Sequence, residues 1–165
     1  MKKLLAVTAG AALVVTGLAG FTASAAPGAA PAPAPTASLL VEGTLDGPSR
    51  ASQDGITLKT RGDVTVRDFT LTYPVAATSG WHQHPGIVLA TVEQGTVLQQ
   101  VGCRTYRRTQ GESFTEVAPH KITNAVSTGT EEAGRAVLRI TQIVPAGTTV
   151  LREEVAPPKC RGHRS

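Results

Sequence analysis

Aromatic side chains are scarce in this chain: one Trp, two Tyr and three Phe among 165 residues, or 4%. Proteins that grip single-stranded nucleic acid stack bases on aromatics, so that role lacks its main tool. Methionine occurs only at position 1, and the two cysteines offer no Cys-x-x-Cys spacing. There is no Gly-x-Ser-x-Gly elbow, no phosphate-binding glycine loop and no pair of carboxylates at useful spacing, which leaves hydrolase and kinase readings without support. No stretch sustains a helical period of apolar residues.

A basic body is also missing, although the formal charge of +4 suggests one. Lys2 and Lys3 belong to the extreme N-terminus, and Lys159, Arg161 and Arg164 follow the last expected strand. Residues 26–158 keep 11 basic against 12 acidic side chains, a formal −1. Nucleic-acid binding needs a face with several phosphate-neutralising charges, so no nucleic-acid partner is expected.

What remains divides into three parts. Met1-Lys2-Lys3, an apolar run from Leu4 to Phe21 and the small-x-small triplet Ala23-Ser24-Ala25 read as a secretory signal peptide over residues 1–25, cleaved after Ala25. The run is rich in Ala, Gly and Thr rather than Leu and Ile, which favours cleavage over an uncleaved anchor and leaves no stable membrane span in the mature chain. No Cys stands near the cleavage point and no Arg pair precedes the run, so a general secretory route to an extracytoplasmic or secreted location is expected. Residues 26–37, with four Pro and six Ala in twelve, read as an extended Ala/Pro-rich linker. Residues 38–165 form a single domain with a C-terminal tail from about residue 156.

Within that domain, short Val, Ile, Leu and Thr runs alternate with turns such as Asp54-Gly55, Ser79-Gly80 and Gln110-Gly111, the texture of an all-β sandwich or barrel. Strands are expected at 39–44, 56–60, 64–73, 87–92, 96–101, 104–109, 113–117, 121–126, 136–144 and 149–153. Val64, Val66, Phe69, Leu71 and Tyr73 share one face if a bulge falls near Arg67-Asp68. Ile87-Val88-Leu89-Ala90 is apolar on both faces, as in a strand covered on each side. Arg61-Gly62-Asp63 spells an adhesion motif, but between two strands it reads as a turn.

Cys103 and Cys160, an even pair in an exported chain, point to a disulfide closing a 57-residue loop; a nucleophilic Cys103 and a metal-ligand role are the competing readings. The histidines are the richest signal. Trp81-His82-Gln83-His84-Pro85-Gly86 sets two imidazoles at i and i+2, a spacing that sends both to one face of an extended strand. His120 leads a later strand and can meet them across a barrel. Three neutral imidazoles suit Fe, Mn, Zn, Ni or Cu. A solvent-satisfied pair is the bland alternative, and the third His weighs against it.

These residues resemble the cupin superfamily, specifically its small single-domain, type 2 members. His82-x-His84 with Gly95 matches the first motif, and Gly111 with His120 and Asn124 matches the second. Fifteen residues, 96–110, separate the two. The resemblance implies a double-stranded β-helix, the jelly-roll or cupin barrel, with one divalent transition metal on His82, His84 and His120 and with Asn124 supporting the second motif. Three departures stand out. Val88, or Leu89, occupies the place of the family's Glu ligand, Ala76 that of an early Gly, and the stretch from Gly111 to His120 is two residues short. Glu93 cannot substitute, because strand parity turns it outward when Val88 faces in. Glu116 fits better as a second-layer group or as an acid or base for proton transfer.

A three-His set resembles thiol and diketone dioxygenases among cupins, where a chelating substrate fills the open positions of Fe(II); zinc in the same cage would activate water. The resemblance thus implies a metal-dependent oxidoreductase acting on a small molecule in the barrel. The alternative is a non-catalytic ligand-binding or structural cupin that has lost its Glu. It leaves a homodimer through sheet faces open.

Overall fold

Turn chemistry sets the hairpins of this domain. The structure is a computed structural model in which residues 31–116, 119–126, 130 and 134–160 are described; the expected signal segment, the first five residues of the linker, Val117 and the end of the tail with His163 lie outside the described residues. Asp54 and Gly55 both take positive φ, 49° and 82°, and make a two-residue turn between β2 (Arg50–Gln53) and β3 (Ile56–Lys59). Gly95, at φ 77°, turns β6 (Ile87–Gln94) into β7 (Thr96–Val101). A Cβ there would stand 2.7 Å from the Arg135 carbonyl oxygen, so only glycine fits.

Two five-stranded antiparallel sheets build the barrel. The first runs β1 (Thr36–Leu45), β4 (Val64–Tyr73), β11 (Ala136–Pro145), β6 and β9 (Ser113–Thr115). The second runs β12 (Glu153–Glu154), β5 (His82–Gln83), β10 (His120–Asn124), β7 and β8 (Arg104–Thr109). This is the all-β fold that the strand spacing suggested, in the jelly-roll form that the resemblance implied. Strict alternation in β11 buries Ala136, Leu138, Ile140, Gln142 and Val144 and turns Arg139 out. Leu138 and Ile140 pack with Tyr73, Val92 and Phe114 of the same sheet and with Val97 and Ile122 of the other. Each such aliphatic side chain contributes about 2 kcal/mol by leaving water. The Cys103–Cys160 disulfide is present, with a Cα–Cα distance of 5.5 Å, and joins the β7–β8 turn to the C-terminal segment.

Several expectations are corrected. β4 pairs with β11 over ten residues without a register break, so it carries no bulge. Residues paired across a ladder share a face: Arg67, Phe69 and Leu71, opposite Gln142, Ile140 and Leu138, point into the barrel, whereas Val64 and Val66 point out. The bulge lies in the neighbouring edge strand, between Leu39 and Val41 of β1, where edge strands usually take their irregularities. β6 is covered on one face only, because Val88, Ala90 and Val92 are buried but Ile87 and Leu89 are 52% and 45% exposed. β1 begins at Thr36, inside the stretch read as linker, and Pro33 offers its carbonyl to the Thr78 amide at 3.0 Å. β2 and the short β5 were not foreseen, and of the strand expected at 149–153 only Glu153 takes part in a ladder, with Glu154. Asp63 of the Arg-Gly-Asp turn accepts a hydrogen bond from the Gly47 amide at 2.8 Å, a structural role.

Candidate metal centre

The extended segment carrying His82 and His84 lies beside β10, and its pairing register sets His82 directly opposite His120. Their ring centroids are 4.1 Å apart, and His84 follows at 4.8 Å from His82 and 5.4 Å from His120. The Gly86 turn after the pair approaches the Ile143 carbonyl so closely that a Cβ would collide with it, which fixes the path of the chain between His84 and β6.

Glu116 completes the group. One donor atom from each of His82, His84, Glu116 and His120 lies within 4.8 Å of all the others. The Glu116 carboxylate stands 3.2 Å from Nε2 of both His84 and His120, with its side chain 4% exposed. Its position is informative. The Glu116 amide donates to the Val88 carbonyl at 3.0 Å, extending the β6–β9 pairing by one step, so Glu116 stands across the ladder from Val88. The carboxylate absent at Val88 thus enters the same part of the barrel from the adjacent strand.

Backbone groups aim the imidazoles. His82 Nδ1 donates to the Gly80 carbonyl at 3.0 Å and His84 Nδ1 to the Leu151 carbonyl at 2.6 Å, which leaves the two Nε2 atoms for the centre. Ser79 Oγ holds the first of these turns by accepting from the Ile122 amide at 2.9 Å and donating to the Gly80 carbonyl at 2.9 Å. His120 differs. It is fully buried, its Nδ1 has no partner among the described residues, and its Nε2 faces only the Glu116 carboxylate, at 3.2 Å. A buried imidazole whose Nε2 meets only a carboxylate shared with His84 stands where a ligand would stand.

The charges agree with that role. Burial would raise the Glu116 pKa, but contacts with His120 and His84 outweigh it and hold the carboxyl at about 2, ionised at neutral pH. Burial lowers His82 to about 4 against the support of the Gly80 carbonyl, so its ring is neutral and free to bind a cation. For His84, burial pulls the pKa down, and Glu116 with the Leu151 carbonyl raises it above the ordinary value. Burial, reinforced by the Glu116 charge, raises the Tyr73 phenol and keeps it protonated. Three nitrogens and one carboxylate oxygen, converging and largely dry, fit a first-row divalent metal.

Asn124 does not approach the group as a donor. Its Nδ2 lies 2.8–3.0 Å from the carbonyls of Tyr73, Pro74 and Gly134, so it fastens β10 to the end of β4. Glu93 faces out and binds Arg139 at 2.6–2.7 Å, as parity required. Beside the centre, a cavity of about 540 Å³ is lined by His82, His84 and Glu116 and also by Tyr73, Arg67 and Gln142, which the sequence reading did not single out. A bulge-free parity for β4 would have added Arg67 to the face that already held Tyr73, and the alternation of β11 would have found Gln142.

No family model matches the chain, and no curated protein matches it. Similar solved structures include a cupin domain from Bordetella pertussis Tohama I, 18% identical, covering 70% of this chain and 99% of that one at TM-score 0.45. A Cupin 2 conserved barrel domain protein from Salinispora arenicola CNS-205 is 11% identical over 68% of this chain and 76% of that one, at TM-score 0.46. A DMSP lyase from Ruegeria pomeroyi DSS-3 is 11% identical over 75% of this chain and 53% of that one, at TM-score 0.49, so this chain spans about half the length of the lyase.

Proposed function

We propose that this chain, whose jelly roll is the cupin fold, is an exported metalloprotein that holds one divalent transition metal on His82, His84, Glu116 and His120 and acts with it on a small molecule in the adjoining cavity. The observation that carries the reading is His120, a fully buried imidazole whose Nε2 meets only the Glu116 carboxylate, at 3.2 Å, within a group of three imidazoles and that ionised carboxylate. A bound metal of this kind supplies Lewis acidity or redox chemistry with open coordination positions. The chain's own residues do the rest. Gly80 and Leu151 orient two imidazoles, Glu116 contributes the negative charge, and Tyr73 keeps a proton at the cavity wall. Val88, taken alone, spoke for a barrel stripped of its carboxylate and its chemistry. Glu116, on the facing strand, answers that point and favours a working metal site.

Export rests on the signal-like residues 1–25 and is supported by the disulfide, which suits an oxidising compartment. Among the described residues, no helix is long and apolar enough to cross a membrane. One preparation tests the whole reading. Untagged protein expressed from the full sequence is expected in the extracytoplasmic fraction with Ala26 as its first residue, carrying about one equivalent of metal by elemental analysis. The His82→Ala and His120→Ala variants are expected to lose that metal. Traces of metal in the parent, unchanged in the variants, would refute the site.

A further inference from the structure

One transverse row on the inner face of the first sheet stands apart from its neighbours. Glu42 of β1 pairs with Arg67 of β4, Arg67 with Gln142 of β11, Gln142 with Val88 of β6, and Val88 lies across from Glu116. Four of these five residues are polar, and those four line the cavity. The next row, Leu39, Phe69, Ile140, Ala90 and Phe114, is wholly apolar, and Leu39, Phe69 and Ile140 line the same cavity. The cavity therefore has a greasy wall beside a strip that carries a cation at one end and the proposed metal group at the other.

The cation has one side-chain partner among the described residues, the Glu42 carboxylate. Arg67 Nε is buried and makes no hydrogen bond among the described residues, although it lies against the Glu42 carboxylate. Glu42 itself sits on the edge strand with 43% of its side chain exposed, where water competes for its charge. The second arginine of the cavity, Arg152, is occupied by the Ser79 carbonyl and the Glu154 carboxylate. Between Arg67 and Glu116 lie three strand spacings, about 14 Å from backbone to backbone, and the long arginine side chain covers part of that span.

We propose that the cavity receives a small aliphatic carboxylate: its carboxylate replaces Glu42 on the Arg67 guanidinium, its alkyl body lies along Leu39, Phe69 and Ile140, and its far end reaches toward His84 and Glu116. A guanidinium fork matches a carboxylate with two parallel hydrogen bonds, which a neutral ligand cannot reproduce. The inference rests on the metal-site reading only for what meets the far end of the ligand. Arg67 is thus a specificity-determining residue rather than a catalytic one.

Calorimetric titration of the full-length protein with sodium hexanoate and with hexan-1-ol, with zinc loaded and again after its removal, tests the proposal. Hexanoate is expected to bind about tenfold more tightly than hexanol in both states. Arg67→Gln should erase that preference while leaving the zinc content unchanged, Arg67→Lys should restore part of it, and Glu42→Gln, which leaves the receptor intact and removes its competitor, should tighten hexanoate binding several-fold. Equal binding of the two probes would overturn the proposal. So would a hexanoate preference that survives Arg67→Gln, or one that vanishes with zinc, because the carboxylate would then sit on the metal. A parent that holds no zinc would sink the metal-site reading and leave the Arg67 comparison to be read in the metal-free protein.

Discussion

At the scale of single residues, the exchange between Val88 and Glu116 is the most informative detail. The histidines were legible because an i, i+2 pair and a later His announce convergence in one dimension. Glu116 was legible only as a second-layer or proton-transfer group, because its approach to the histidines runs through a cross-strand relation that linear spacing does not contain. If the two positions are equivalent, Glu116→Val should lose bound metal, and adding Val88→Glu should restore much of it; elemental analysis of the single and double variants checks this, and a double variant as empty as the single would count against equivalence. Acid sensitivity arises from the same residues. The depressed pKa of His82 gives stability that is complete above about 6.5 and is lost as pH falls toward about 4, and Glu116 repeats this from about 4.5 toward about 2. His84, raised, acts in the opposite sense near neutrality. The metal-free protein should therefore melt at progressively lower temperature between pH 6 and pH 4, with a smaller loss in His82→Ala; identical slopes would contradict the assignment.

At the scale of elements, β4, β7 and β8 have the bounds the sequence suggested, since alternation and flanking turns define them from both ends. The bulge went to the wrong strand for a physical reason: the extra residue can sit in either member of a pair, and only the regular β4–β11 ladder on the other side decides for β1. The error hid Arg67. β5 escaped notice and β12 was foreseen only at Glu153, because two-residue strands carry no periodicity. The segment around β12 matters nonetheless. Leu151 orients His84, Glu153 and Glu154 pair with β5, and Cys160 anchors the C-terminal segment to the β7–β8 turn. Opening the disulfide should cost about 4 kcal/mol on the chain-entropy estimate. Cys103→Ser with Cys160→Ser should also weaken metal binding about tenfold or more through the loosened Leu151 carbonyl. A variant that melts lower but binds metal with full affinity would separate the two effects.

At the scale of the whole molecule, the basic charge of the chain belongs to its ends, and the body between them sets one polar strip and one histidine cluster beside a cavity. The 57-residue covalent ring from Cys103 to Cys160 has a topological consequence. Glu116 and His120 lie within the ring, and His82 and His84 lie outside it. A filled metal centre would tie the segment before the ring to the ring itself, whereas the disulfide ties only the two ends of the ring to each other. Chelation would therefore loosen the join between the ring and the segment before it, and reduction the closure of the ring itself, so the two treatments act on different parts of one barrel.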